Sequence, residues 1–408
     1  MKRVVVTGMA GFSPVGLDWE TTAANLKALN TGIAVMDEWN IYEGLNTRLG
    51  GPVPEFTLPT HYTRKKTRSM GRVSLMSTRV TELALEQAGL LDDPIISDGR
   101  MGVAYGSSTG TPQAVKDFGN MLIKYSTDGL SANTYIRMMP HTTAVNIGVF
   151  FSLKGRVITT STACTSGSQG IGSAYEVIRS GAQQLMVAGG AEELCATEAA
   201  VFDTLFATST KNDAPETTPR PFDRDRDGLV IAEGACTLIL EELEFAQARG
   251  ATILAEIVGY ATNSDGAHVT QPEKETMQRA MEMAIDQAGI PPSEIGYISA
   301  HGTATDRGDV AESHATHSIF GNTTPISAFK SFTGHTLGAC GALESWVAIQ
   351  MMREGWSHAT ANLKNIDDKC ADLDYIMGEA RKLDTEYVMS NNFAFGGINT
   401  SLIFKRWA

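Results

Sequence analysis

The chain has little of what a disulfide scaffold, a membrane span or a nucleotide-binding loop requires. Its five cysteines, at 164, 195, 236, 340 and 370, form no C-x-x-C pair, and their odd number argues against a paired framework. No uninterrupted apolar stretch approaches the ~20 residues that cross a bilayer. The opening Met1-Lys2-Arg3-Val4-Val5-Val6-Thr7-Gly8 runs directly into a strand pattern. It lacks the longer apolar core and small-residue cleavage site of a secretory leader, so a reducing, cytoplasmic setting is expected. Positive charge is scarce too: 33 Lys and Arg against 46 Asp and Glu leave a net charge of −13, which disfavours nucleic-acid binding. The glycine runs at 106–110 and 167–172 match neither a P-loop nor G-x-G-x-x-G. Asp223-Arg224-Asp225-Arg226-Asp227-Gly228 begins like a calcium loop, but Gly234 stands where the closing glutamate belongs, Glu233 comes one place early, and two arginines dilute the charge. His314 and His317, near Asp309 and Glu312, read as solvated helix residues. No metal or nucleotide site is expected.

What the chain does contain is a paired pattern. Thr162-Ala163-Cys164-Thr165-Ser166-Gly167-Ser168-Gln169-Gly170 and Thr333-Gly334-His335-Thr336-Leu337-Gly338-Ala339-Cys340-Gly341 both fit T-x-[C/H]-T-x-G-x-x-G. Each sits where a β-rich run gives way to a helical one. A cysteine at a helix start faces unpaired amide N–H groups and the positive end of the backbone dipole, which favours the nucleophilic thiolate. A second pair lies upstream of each site: Leu83-Ala84-Leu85-Glu86-Gln87-Ala88-Gly89-Leu90 returns as Met283-Ala284-Ile285-Asp286-Gln287-Ala288-Gly289-Ile290. Each copy ends a helix at a glycine, and strand-like runs follow at 101–105 and 296–300. Two matched pairs in the same order predict a duplicated α/β unit. The 408 residues, 42% hydrophobic with 40 glycines, suffice for two cores.

Along the chain, 1–8 reads as a strand, with helices near 18–28 and 72–89. The stretch 106–145 reads as polar and loop-rich. The Cys164 helix runs to about Ser180, 184–190 is a buried strand, 207–228 a polar loop, 229–241 a strand and 245–249 a helical link. A strand at 253–260 opens the second half. The boundary is placed at about residue 250, giving halves 1–250 with the thiol and 251–408 with the imidazoles. A basic cluster, Arg64, Lys65, Lys66, Arg68 and Arg72, reads either as a solvated helix face or as a dock for an acidic partner.

His301 opens His301-Gly302-Thr303-Ala304-Thr305-Asp306 at the end of the 296–300 strand. Two imidazoles beside one thiol suit chemistry that stabilises negative charge on a carbonyl or enolate oxygen as well as moving protons. A protease-like site would pair one histidine with an orienting Asn or Asp. The pattern points to acyl transfer.

Five ordered segments carry a resemblance. They are 160–167 around Cys164, Arg220-Pro221-Phe222-Asp223 through Gly228, His301-Gly302-Thr303-Ala304-Thr305, Lys330-Ser331-Phe332-Thr333-Gly334-His335, and Asn391-Asn392-Phe393-Ala394-Phe395-Gly396-Gly397-Ile398-Asn399. Together they span nearly the whole chain and resemble the β-ketoacyl-[acyl-carrier-protein] synthases, closest to the elongating type II enzymes. The resemblance implies the thiolase fold, two similar α/β halves in five alternating αβαβα layers, as a homodimer with a heterodimer as the alternative. It implies a decarboxylative Claisen condensation that lengthens a fatty acyl chain by two carbons. Cys164 would carry the acyl group, His301 and His335 would hold the malonyl thioester carbonyl, and Lys330 and Glu344 would support the histidines. The amides of Cys164 and Phe395 would form an oxyanion hole. Thr303 and Thr305 would contact the pantetheine arm, and Phe393 and Thr109 would line the acyl pocket. Lys65 and Arg68 would dock an acidic acyl carrier protein. No bound cofactor is implied, since phosphopantetheine arrives on that carrier.

Three departures from the family stand out. Ala394 stands where glycine is usual, and since alanine resists positive φ a gate at Phe395 is expected to move less freely. Asp306-Arg307 stands where proline or a small apolar residue is common. Thr109 replaces a bulky apolar residue, from which a longer or more polar acyl pocket is expected. The alternatives are a ketosynthase of a specialised polyketide or polyene pathway with the same chemistry, and a noncatalytic partner subunit, which would usually lack the cysteine. A degradative thiolase would need a second cysteine within 391–399, and none is there.

Overall fold

The computed structural model describes residues 1–408. Its strands fall into two sets with one connectivity. β1 (Val4–Phe12), β2 (Met101–Gly106), β3 (Val157–Thr160), β4 (Leu185–Glu192) and β5 (Gly234–Glu242) lie in the order β3-β2-β4-β5-β1. β6 (Ala255–Ser264), β7 (Ile295–Ser299), β8 (Pro325–Ser327), β9 (Tyr387–Ala394) and β10 (Ile398–Arg406) lie in the order β8-β7-β9-β10-β6. In each set the first three strands are parallel and the last two pair antiparallel. The sets meet where Val4–Val6 of β1 pairs antiparallel with Ala255–Ile257 of β6, and with the short edge strand Asp374–Tyr375 beside β8 they make one eleven-stranded sheet through the molecule.

The main helices are α1 (Arg72–Gln87), α2 (Pro112–Lys124), α3 (Ala132–Met138), α4 (Thr142–Phe150), α5 (Ser166–Arg179), α6 (Ala196–Asp203), α7 (Lys274–Ala288), α8 (Asp306–Phe320) and α9 (Cys340–Glu354). α5 and α9 pack on each other and on strands of both sets, while α1 with α4 and α7 with α8 cover the outer faces. This is the five-layer αβαβα arrangement of the thiolase fold. The position of α9 explains its composition: Cys340 through Met352 are all buried, so apart from Glu344 and Gln350 its residues there are apolar or small on every side.

The repeated octapeptides do the same physical job in each half. Gly8 of β1 lets the helix backbone approach so closely that a Cβ there would stand 2.1 Å from the Ala84 carbonyl oxygen, and Gly259 of β6 has the same relation to Ala284 at 2.4 Å. The strand register shifts beside each glycine. A glutamine of the repeat meets a strand amide: Met9 N–H donates to Gln87 Oε1 and Tyr260 N–H to Gln287 Oε1, both at 2.7 Å. Gly89 and Gly289 then end the helices at φ 68° and 69°.

Two expectations are corrected. The 106–145 stretch is not loop-rich but holds α2 and α3 and the start of α4. Pro112 begins α2 and a Ser131–Thr134 capping box begins α3. Their pattern was hard to read because only Ala114 of α2 is buried in this chain, and Val115, Leu122 and Ile123 face outward. The 229–241 strand breaks at Glu233, whose carboxylate accepts from the Val53 and Leu194 amides and pairs with Arg72. Arg72 therefore leaves the basic cluster.

Gly8→Ala and Gly259→Ala are each expected to destabilise the fold by about 1–3 kcal/mol through overpacking against helix backbone. Chemical denaturation reads the loss as a lowered midpoint; an unchanged midpoint would contradict the close-approach account.

Candidate active site

The nucleophile stands on a forced turn. Ala163 has φ 50° and, at the matching place in the other half, Gly334 has φ 76°. A non-glycine residue in the left-handed region is strained, and here the hydroxyl of Ser166 holds the turn by accepting from the Thr162 amide and donating to the Ala163 carbonyl. Cys164 therefore sits in the short turn Ala163–Thr165 just ahead of α5, with only 3% of its surface exposed. His335 is pinned by strand-like bonds on both sides: its amide donates to the Val230 carbonyl at 2.6 Å, and its carbonyl accepts from the Ala232 amide at 2.9 Å.

The hydrogen bonds fix the tautomers. His335 Nδ1 accepts from the Leu337 amide at 3.2 Å, so the neutral ring carries its proton on Nε2, 2.9 Å from the Cys164 sulfur. His301 Nδ1 accepts from the Lys330 ammonium at 3.1 Å, which likewise leaves the proton on Nε2. The two rings lie edge to face, 5.4 Å apart. Burial, then the Lys330 charge, holds both histidines well below their ordinary pKa, so both are neutral donors.

Lys330 is itself buried, and its three N–H donors have three acceptors: Glu344 Oε1 at 2.5 Å, the His301 carbonyl at 2.7 Å and His301 Nδ1. Asn392 donates to the other Glu344 oxygen at 2.6 Å. Burial alone would lower the Lys330 ammonium, but Cys340 and Glu344 carry it above its ordinary range. The thiol departs from the helix-start expectation. Burial pushes Cys164 up, and the Phe395 amide, Lys330 and its own amide pull back only in part, because burial is the largest of these effects.

Four contributors were missed in the sequence. Glu312 accepts from the His301 and Gly302 amides at 2.7 and 2.8 Å, and Asp309 from the Thr303 and Ala304 amides, both at 3.1 Å. These carboxylates hold a loop in which Gly302 and Ala304 have φ 43° and 62°. Burial pushes Asp309 up to about 6 and Glu312 up to about 8. Their i,i+3 spacing one turn after the histidine loop was the available signal; beside His314 and His317 it suggested a weak metal site instead. Asn392 and Cys340 complete the set, the latter donating its thiol to the Cys164 carbonyl at 3.2 Å.

A cavity of about 640 Å³ opens over these groups. Cys164, His301, His335, Thr303, Thr305, Phe393 and Phe395 all line it, and the Thr303 and Thr305 hydroxyls are 2.9 Å apart. Phe395 packs edge-on against Phe202 at 5.5 Å. Ala394 ends β9 paired with Ile398, and the positive φ values fall on Gly396 and Gly397, so the alanine imposes no strain there. Thr109 does not line the cavity. It is exposed, with its hydroxyl on Glu198 at 2.8 Å and Glu192 at 3.2 Å. Lys65 and Arg68 are exposed on and just after the turn Arg64–Thr67, apart from the cavity lining. The ligand atoms of Cys164, His301 and His335 lie within 4.8 Å of one another, as do those of His301, Cys340 and Glu344. The Lys330 ammonium, bonded to His301 and Glu344, works against a cation in either.

Comparison with known proteins agrees with this geometry. Residues 1–246 match the β-ketoacyl synthase N-terminal domain, and 254–364 the β-ketoacyl synthase C-terminal domain. The chain is 37% identical over 413 residues to 3-oxoacyl-[acyl-carrier-protein] synthase 2 of Staphylococcus aureus, covering 100% of this chain and 99% of that one. A crystal structure of a β-ketoacyl synthase from Burkholderia phymatum matches at 59% identity and TM-score 0.99, covering 100% of both chains. A type II polyketide ketosynthase solved in complex with its acyl-carrier protein matches at 29% identity and TM-score 0.88, again covering 100% of both. The chain belongs to the β-ketoacyl synthase family.

Lys330→Met is expected to cost about 3–5 kcal/mol by leaving Glu344 buried and unpaired. Lys330→Met with Glu344→Gln should recover most of that stability in chemical denaturation yet stay impaired in turnover, because His301 Nδ1 lacks its donor. Full turnover in the double variant would contradict the tautomer-setting role.

Proposed function

We propose that this chain is a 3-oxoacyl-[acyl-carrier-protein] synthase in which residues 1–250 supply the nucleophile and 251–408 the enolate-stabilising pair. The observation that carries the reading is the pair of neutral imidazoles gathered with the Cys164 sulfur within 4.8 Å of one another, each with its tautomer set by a partner at Nδ1. In the first half-reaction the Cys164 sulfur attacks an acyl thioester. The acyl group moves to Cys164, the carrier thiolate leaves, and it takes up the thiol proton. The amides of Cys164 and Phe395 receive the oxyanion; losing one such donor costs ~10²–10³ in rate.

In the second half-reaction the malonyl thioester carbonyl accepts from His301 and His335. Carbon dioxide leaves, and the electron pair of the broken C–C bond becomes the enolate those N–H groups stabilise. The enolate carbon attacks the acyl-Cys164 carbonyl and expels the cysteine thiolate, giving a 3-oxoacyl product two carbons longer. No bound cofactor enters this sequence, because phosphopantetheine comes with the substrate.

An acidic carrier docking near Lys65 and Arg68 is supported by their exposure on a turn of three basic residues, in a chain that is otherwise strongly acidic. A homodimer is supported by unburied apolar side chains on and beside α2, Leu122, Ile123 and Tyr125, and by Val157 on the edge strand β3. No helix is long and apolar enough to cross a membrane.

Intact-protein mass spectrometry with a panel of acyl carrier proteins tests the reading. A mass gain is expected that is lost in Cys164→Ala and discharged by malonyl-carrier protein as the 3-oxoacyl product. No loading on the folded protein, or an acyl group that malonyl-carrier protein leaves in place, would overturn it.

A further inference from the structure

The outer end of the cavity carries a cation that the catalytic chemistry does not use. Asp306 and Arg307 open α8 directly after Thr303 and Thr305, and both line the cavity together with Thr270 and Gln271. A shallow groove bordered by Gln271, Glu273, Asp306, Arg307 and Lys369 continues outward from there. Asp306 does not neutralise its neighbour, since its carboxylate is engaged by Lys369 at 3.1 Å and Arg226 at 3.4 Å. Arg226, with its side chain 3% exposed, also donates to the carbonyls of Thr305 and Asp306 at 3.2 and 3.0 Å. The backbone that presents Arg307 is thereby fixed. Gly308 closes the turn against Thr305, where a Cβ would stand 2.5 Å from the hydroxyl. Arg307 itself is exposed and makes no ion pair within the chain.

We propose that Arg307 binds the phosphodiester of the phosphopantetheine arm as it enters the cavity. The inference rests on the condensing function above and names how its substrate is held. The arm is a chain of neutral amides and a hydroxyl, with one anionic group at its outer end. Neutral hydroxyls at Thr303 and Thr305 suit the amide part, and an unpaired guanidinium further out suits the phosphate, which it grips with two parallel N–H donors. Arg307 is a positioning residue: it sets how deeply the thioester reaches toward Cys164.

The test compares acylation of Cys164 by matched acyl-phosphopantetheine and acyl-pantetheine thioesters, which differ only in the phosphate, followed by intact mass over time. The wild-type protein should load from the phosphorylated donor about tenfold faster or more, as for a hydrogen bond to a charged group. Added salt should shrink that ratio. In Arg307→Ala the ratio should fall toward one, and Arg307→Lys should restore part of it. A wild-type ratio near one, or an undiminished ratio in Arg307→Ala, overturns the assignment while leaving the condensing function standing. If neither thioester loads the folded wild-type protein, the condensing function falls and the Arg307 assignment falls with it.

Discussion

The site depends on one buried ion pair. Lys330 and Glu344 lie 2.5 Å apart with side chains 2% and 0% exposed. Desolvating two charges costs several kcal/mol each and is offset only when geometry and hydrogen bonding are complete. They are nearly complete here: the ammonium spends its three donors on Glu344 and on two atoms of His301, and Asn392 holds the remaining carboxylate oxygen. The fixed positive charge does three things. It makes His301 an acceptor at Nδ1 and therefore a donor at Nε2, it helps keep both imidazoles neutral, and it draws the Cys164 thiol partly back from the rise that burial causes.

The duplication explains how so many groups converge. Each half ends a parallel strand in a tight turn before a central helix, one turn carrying Cys164 and the other His335, and α5 and α9 pack side by side so that the turns face each other. The nucleophile and its partner are thus placed by the two most buried helices rather than by surface loops. His301 comes from a third place, the end of β7, and its loop has no regular bonding of its own. Asp309 and Glu312 supply that bonding from α8, through backbone amides, which is why a strained loop can hold a catalytic ring still.

Much of this was legible in the sequence. The paired T-x-[C/H]-T-x-G-x-x-G segments and the paired octapeptides carried the duplicated architecture, since the same glycines and glutamines solve the same packing problem twice. Cys164, His301 and His335 could be picked out because thiols and imidazoles beside tight turns leave a compositional mark. Asp309 and Glu312 left none that set them apart from surface acids, because their work is to accept from backbone amides. The helices α2 and α3 were missed because Ala114 and Thr134 are their only buried residues, so the helical period has no buried apolar face in this chain. Thr109 was misplaced because its neighbours in space, Glu192 and Glu198, are more than eighty residues away.

The central claim is that both imidazoles stand neutral with Nε2–H pointed at the reacting atoms. Nitrogen-15 NMR of histidine-labelled protein, assigned with His301→Asn and His335→Asn, tests it directly. Both rings should give the neutral Nε2–H pattern at neutral pH and keep it well below pH 6.5, the ordinary value from which burial and Lys330 lower them. An imidazolium, or an Nδ1–H tautomer, at either position at neutral pH would contradict the account.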